Sequence, residues 1–378
     1  MKISEPLIIF GYAFPHRKTY DFITVLFALG FKNITVIGAP KVKLASSKIV
    51  KGGVSIDQNA YCVKTLCRSL GIKFEECAHD NFEKISQINN RLQAHTAVIS
   101  GARIIKKEVI DLFSNGIVNF HPGKIPETSG LDSFYHAIRK NCSMGVTVHV
   151  IDHKVDRGSF IFFEKLRVSS GQSMEVVKEN LYGVQLVALR KYIKTYFGKT
   201  FGYPEINRPK KNSPLEETEK QGIAAKFPEW LADRVRDQEK VEKHFFALCV
   251  DGDLEGVKAM IESDSYLLSC RSPEGWSAII IASFWQRFSL VEYFLHLGAN
   301  PNDYGFNGTT VLMYAKTKLL ERSDSDISLL KLLLDAGASM FCKDNYGKNI
   351  FDYLNMGVAS QRRIAKFLTA YGDDQQDE

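Results

Sequence analysis

From Leu7 to about residue 200 the chain alternates two hydrophobic patterns. Short apolar runs at Leu7–Phe10, Asn33–Gly38, Ala97–Ser100 and Ile117–Phe120, with an extended stretch at Lys73–Cys77, read as strands; runs this short between helices suit a sheet buried on both faces. Between them, apolar residues spaced three and four apart predict helices over Lys18–Leu29, Gln58–Leu70 and Lys106–Phe113. Strand and helix in this rhythm build βαβ units and a mainly parallel sheet. After Asn119 the pattern changes: a helix at Ser133–Lys140, two longer strands at Gly145–Asp152 and Ser159–Val168, and a long amphipathic helix at Met174–Tyr196. The fold class is α/β, a Rossmann-like core of residues 1–200 with a mostly parallel sheet.

Residues 201–240 are rich in Pro, Gly and charge and show no period, which reads as a linker or surface arm. Its apolar residues Phe201, Tyr203, Ile206, Phe227 and Trp230 suit a homodimer contact or packing on the core. Residues 241–372 repeat. Gly275 and Gly308 lie 33 residues apart in EGWSAIIIA and NGTTVLMYA, and LVEYFLHLGANPN from Leu290 returns as LLKLLLDAGASMF from Leu329, with LLERSDSD as the inserted segment. This unit of a turn and two helices resembles the ankyrin repeat and implies an all-α stack with a degenerate copy at each end. Residues 373–378 form an acidic tail.

At 45% hydrophobic and 24% charged residues, the 378-residue chain is not disordered or fibrous. No apolar run approaches the ~20 residues of a membrane span, and MKISEPLIIFGYAF reads as a first strand rather than a signal peptide. The seven cysteines are scattered and lack a C-x-x-C pair, so reduced thiols in a cytoplasmic protein are expected, with no metal site. The net charge of +6 divides unevenly. Residues 241–378 hold 13 Lys+Arg against 19 Asp+Glu, leaving 36 against 24 for residues 1–240. The front favours anionic ligands; the back does not seek nucleic acid.

Candidate chemistry is densest between Ser100 and Gly158. Asn119 and His121, two apart at the end of a buried strand, face the same side, where a parallel sheet opens onto its ligand crevice. His121 can act as a base near neutral pH, and Asn119 offers an amide donor to a developing oxyanion. Asp156, in the turn DHKVDRG, is placed to pair with a histidine from a neighbouring strand end. Asn, His and Asp together suit acyl transfer without a metal and without a nucleophilic Ser or Cys. His149 lies opposite the Val146, Val148 and Val150 face, at the site's edge or as a satisfied sheet histidine.

The segments SGARII, NFHPG and GVTVHVIDHKVDRG resemble the formyltransferases that use N10-formyltetrahydrofolate. The resemblance covers about residues 1–200. It implies catalytic roles for Asn119, His121 and Asp156, and folate contacts from Arg103, Ile104, Ile105 and Asp152. The implied reaction is direct attack of a substrate amine on the formyl carbon, with Asn119 and His121 stabilising the oxyanion and Asp156 orienting His121. GYAFPHRKTY has one glycine where the glycinamide ribonucleotide enzymes of the family carry a phosphate loop, and the acidic back half disfavours tRNA. HPGKIPETSGLDSF resembles the loop of the nucleotide-sugar N-formyltransferases, some of which carry ankyrin repeats. The favoured acceptor is thus a dTDP-linked 3-amino-3,6-dideoxyhexose for surface polysaccharide, with a 4-amino sugar or another amine as alternatives. Tyr12, His16, Arg17, Lys18 and Lys51 are candidate substrate contacts, the last three for the diphosphate; Thr128 and Ser129 are candidates for the sugar. Alignment with the ankyrin unit puts Trp276 at a turn and Trp285 on the concave face. With Arg287 they form a candidate recognition site for a second ligand or a protein. The rival reading is an interaction protein in which the ankyrin half carries the function.

Overall fold

The computed structural model describes residues 4–41, 61–152, 158–199, 204–206, 212–320 and 326–374. The chain divides into two compact units, residues 1–235 and 236–378.

The first unit is built on seven strands: β1 (Leu7–Tyr12), β2 (Ile34–Ala39), β3 (Lys73–Glu76), β4 (Thr96–Ile99), β5 (Ile117–His121), β6 (Gly145–Val150) and β7 (Ser159–Lys165). They run in the order β3-β2-β1-β4-β5-β6-β7. The first five are parallel; β6 and β7 join antiparallel. The helices of this unit are α1 (Arg17–Ala28), α2 (Val63–Ser69), α3 (Phe82–Leu92), α4 (Lys107–Ile110), α5 (Ser133–Arg139), α6 (Met174–Thr195) and α7 (Glu217–Ala224), followed by the start of α8 (Phe227–Asp251). The sheet is covered on both faces. One core gathers Phe22, Leu26, Val118, Phe120, Val146, Val148, Leu189 and Tyr192. The other gathers Ile8, Phe10, Ile85, Ala97, Val109 and Ile117. This two-sided burial explains why β1 reads as one continuous apolar run.

α1 shows how local sequence sets the crossover. The His16 ring caps its start by accepting from the Thr19 amide. Its end is a Schellman motif: Gly30 is left-handed (φ 90°), and the Phe31 amide bonds back to the Leu26 carbonyl. Gly11 lets α1 approach the sheet, because a β-carbon there would lie 2.6 Å from the Thr19 methyl.

Within the expected linker, residues 212–235 instead belong to the first unit. Leu215, Ile223, Phe227, Trp230 and Leu231 are buried in the first unit's core, and the Trp230 Nε1 donates to the Cys142 carbonyl at 2.9 Å. Ile223 near the end of α7 and Phe227, Trp230 and Leu231 at the start of α8 are buried together, and burying them outweighs the weak helix signal of the charged residues between them. The division falls at 235/236, within α8, near the end of the stretch read as an arm.

The second unit is helical: the far end of α8, then α9 (Leu254–Ser263), α10 (Ala278–Phe284), α11 (Phe288–His296), α12 (Val311–Leu319), α13 (Ser328–Asp335) and α14 (Ala359–Asp374). The bridge Arg271↔Ser277 returns 33 residues later as Tyr304↔Thr310, each just before a helix. Gly298 and Gly337 are left-handed stops (φ 86° and 93°). The Ala299 and Ala338 amides bond back to Phe294 and Leu333, which accounts for the recurring Gly-Ala. All seven cysteines are free thiols. Among the described residues no helix is long and apolar enough to cross a membrane.

Candidate active site

Strand order reverses between β1 and β4, so their connections leave on opposite sides and open a crevice at the carboxyl ends. A cavity of about 430 Å³ lies there, a size suited to a small molecule. Tyr12 ends β1, Ile99–Ala102 end β4 and Asn119–Pro122 end β5; Gly130–Ser133 form the facing wall, and His16 and Lys18 enter from α1.

β5 carries the two polar residues on one side because Val118 and Phe120 bury into the core on the other. Asn119 is half-buried and pairs across the ladder with His149, its Nδ2 lying 3.2 Å from His149 Nε2. His121 is buried, and its Nε2 donates to the Thr128 carbonyl at 3.1 Å. Thr147 on β6 fixes the turn after His121, donating to the Gly123 carbonyl at 2.6 Å and accepting from the Ile125 amide at 3.1 Å.

The α1 side is cationic but poorly solvated. Lys18 Nζ donates to the Phe120 carbonyl, between Asn119 and His121, at 3.2 Å. Burial pushes its pKa down to about 7. His16 is pushed down to about 4, by burial and then by the Lys18 charge, so its ring is neutral at pH 7. The ring's Nδ1 is taken up by Thr19, and the Thr19 hydroxyl continues to Ser100. Burial raises the Tyr12 phenol, against the Arg103 charge.

Of the expected substrate contacts, Tyr12, His16 and Lys18 line this cavity. Arg17 does not. It pairs with both oxygens of Glu179, lies 3.5 Å from Asp21 and stacks 4.0 Å over Tyr182, so its charge is already satisfied. Thr128 and Ser129 are fully buried and leave the cavity wall to Gly130 and Leu131. Thr128 Oγ1 donates to the Lys124 carbonyl; their place in a tight turn explains why they face inward. The candidate folate residues also disperse: Ile105 is in the core, Ile104 is 71% exposed, and Arg103 donates to the Pro40 carbonyl. None of the three lines the cavity, whose β4 side is Ile99–Ala102. Asp152 is half-buried. Asp156 and Lys51 lie outside the described residues.

In the second unit, Trp276 packs between Phe284 and Tyr314, and the Arg287 Nε donates to the Val250 carbonyl. Trp285 packs edge-on to Phe284 with the Lys318 ammonium 5.0 Å from its ring. All three side chains are half-buried, and the two tryptophans pack against the core of the unit.

Sequence reasoning missed Ser100, Gly101, Leu131 and Asp132 as cavity residues. Asp132 is braced from α7's side: its carboxylate accepts from the Leu215 amide and pairs with Lys220 at 2.9 Å. Its pKa is held down although burial opposes this. Asn212 likewise donates to the carbonyls of Glu127 and Ser129. The sequence carried only the turn-forming Ser129-Gly130 ahead of Leu131 and Asp132; the left-handed Asp132 (φ 57°) shows in the structure alone. Among the described residues there is no cluster of three or more His, Cys, Asp or Glu able to hold a metal.

A mixed sheet with an Asn-x-His strand end one strand from its switch point agrees with the comparison to protein families. Residues 37–189, within the first unit, match the formyl transferase family. Relatives include the methionyl-tRNA formyltransferase of Borrelia garinii subsp. bavariensis, 26% identical over 153 residues, 39% of this chain and 47% of that protein. The phosphoribosylglycinamide formyltransferase of Bacillus subtilis is 24% identical over 131 residues, 33% of this chain and 67% of that one. A solved sugar N-formyltransferase from a Shewanella species is 17% identical, covering 58% of this chain and 86% of its own, with a TM-score of 0.37. The chain spans about half the length of the methionyl-tRNA formyltransferases it matches.

Proposed function

We propose that this chain is a folate-dependent N-formyltransferase whose acceptor is the amine of a dTDP-linked amino sugar, favoured as the 3-amino-3,6-dideoxyhexose. The observation that carries the reading is the placing of Asn119 and His121 side by side at the cavity end of β5, within the segment that matches the formyl transferase family. The bound folate supplies the formyl carbon. The half-buried β4 end at Ile99, Gly101 and Ala102, which lines the cavity, would take its flat ring. An Asn119 N–H stabilises the formyl oxygen as it gains negative charge, and protonated His121 adds a second donor. Asp156 orients His121 and takes part in moving the proton that the amine releases to the folate N10, which leaves as its N–H when the formyl C–N10 bond breaks. No nucleophilic Ser or Cys and no metal is required.

Three features support the choice of acceptor. The first-turn amide of Thr19 is occupied by the His16 ring, which removes part of the helix-end cradle a bare phosphate monoester would use. Acidic charge in the back half disfavours tRNA. The loop HPGKIPETSGLDSF is similar to that of the nucleotide-sugar enzymes. The second unit is then an ankyrin-type stack, whose exposed turn aromatics Phe306 and Tyr346 suit a protein partner. The test is incubation with N10-formyltetrahydrofolate and dTDP-amino sugars, read by mass for one added formyl group. Asn119→Ala should lower kcat roughly 10²–10³-fold, as for loss of one oxyanion donor. No mass gain with any amino sugar, or near-normal turnover in Asn119→Ala, His121→Asn and Asp156→Asn alike, sinks the reading.

A further inference from the structure

One polar contact in the sheet is left unused by this chemistry. Asn119 and His149 are directly opposite each other in the antiparallel β5–β6 ladder, and Asn119 Nδ2 lies 3.2 Å from His149 Nε2. His149 is fully buried, whereas Asn119 also lines the cavity. An amide nitrogen donates and cannot accept, so Nε2 is the acceptor in this contact. One Asn119 N–H is thereby committed, leaving the second N–H and the carbonyl.

A carboxamide can rotate by half a turn about its last bond into a well of similar shape. The two wells present opposite polarity to whatever lies beside them. One offers N–H to an oxygen gaining negative charge; the other offers a carbonyl, which repels it. The backbone of β5 cannot make this choice, because both wells share one strand geometry. The His149 Nε2 that faces it across the ladder can, by accepting from one well and not from the other. The buried histidine therefore does more than fill space: an aliphatic residue of its volume would leave the amide free to turn.

We propose that His149 is a positioning residue, whose Nε2 lone pair selects the Asn119 amide rotamer that presents N–H to the transferring formyl group. The proposal rests on the formyltransferase reading and adds to it a residue that acts only through Asn119.

The test compares His149→Gln, which returns an acceptor carbonyl at a similar reach, with His149→Leu, which fills the volume without one. We expect His149→Leu to lower kcat about 30–100-fold, in the range for a misdirected oxyanion donor, with both KM values within about twofold. His149→Gln should recover to within about fivefold of the parent. In an Asn119→Ala background, His149→Leu should add less than about twofold, because residues acting as one unit are not additive. The proposal is overturned by a His149→Leu kcat within about threefold of the parent, by Gln performing no better than Leu, or by losses that multiply in the double variant. If His149→Leu does not fold, His149→Met carries the same comparison. A second readout needs no turnover: the 15N-labelled side-chain amide of Asn119, identified by its loss in Asn119→Ala. Its two proton signals should be distinct in the parent and in His149→Gln, and should shift and broaden in His149→Leu; an unchanged signal in Leu refutes the proposal. A parent chain that forms no formyl product while showing this amide pattern removes the function and leaves the contact standing.

Discussion

Gly123→Ala tests whether the site depends on a glycine directly behind its histidine. Gly123 is not in the left-handed region, so alanine adds a methyl group without backbone strain. That methyl would lie 2.4 Å from Thr128 Oγ1, 2.8 Å from His121 Nε2 and 2.9 Å from Ser133 Cβ. To reach an ordinary 3.4 Å separation the His121 ring must retreat about 0.6 Å, and Thr128 about 1 Å. The His121 Nε2 to Thr128 carbonyl bond, now 3.1 Å, then exceeds hydrogen-bonding distance unless the two move together. Overpacking of this kind costs about 1–3 kcal/mol of stability, and a catalytic group displaced by near 1 Å can lose about 10²-fold in rate. We expect Gly123→Ala to unfold at lower urea, by about 2 kcal/mol, and to lose about 30–100-fold in kcat. Adding Thr128→Ala removes the closest clash and should restore part of the stability but little of the rate, since His121 is still displaced. The assay is steady-state formyl transfer with a urea midpoint on each protein. A Gly123→Ala enzyme within about threefold of the parent kcat would refute the reasoning, because the ring would then tolerate a shift of that size.

Lys18→Met should raise stability most at low pH. Below pH 7 both folded and unfolded chains hold the Lys18 proton and the fold bears the cost of burying it; from pH 7 to about 10.5 the fold has released a proton that the unfolded chain keeps, so the parent gains stability as pH rises. The variant should therefore lead by about 1–2 kcal/mol at pH 6, discounted for partial exposure, and the lead should shrink by pH 10 in urea titrations; a lead that grows with pH contradicts the burial argument. Arg17→Met should leave the acceptor KM within about twofold and cost at most about 1 kcal/mol, because it breaks an exposed ion pair with Glu179; a tenfold rise in KM would contradict that pairing. Trp230→Ala should destabilise the first unit by about 3–5 kcal/mol and speed hydrogen exchange of the β1 and β5 amides at least about 10²-fold; protection equal to the parent would return 217–235 to the status of an arm.

What could be read from the chain, and what could not, divides by the range of the interactions involved. β1, β4 and β5 were legible because a strand buried on both faces must be apolar at every position, and the Asn-x-His exception on β5 stood out against that rule. Gly-Ala stops at 298 and 337 were legible because a left-handed residue after a helix is a local demand. Arg17 misled because its partner Glu179 is 162 residues away, and charge in a sequence carries no record of whether it is already paired. Thr128 and Ser129 misled because polar residues in a turn face either way, and here the turn folds them under Gly130. α7 and the start of α8 were lost among charges, although Ile223, Phe227, Trp230 and Leu231 already held the helical spacing. The most consequential contact was the least visible. Asn119 meets His149 only because two antiparallel strands, joined through a helix, settle in one register; a slip by one residue would set Asn119 against Val148 or Val150 and leave its amide with no lone pair to find. The polarity of the site is thus decided by strand register as much as by the residues the motif contains.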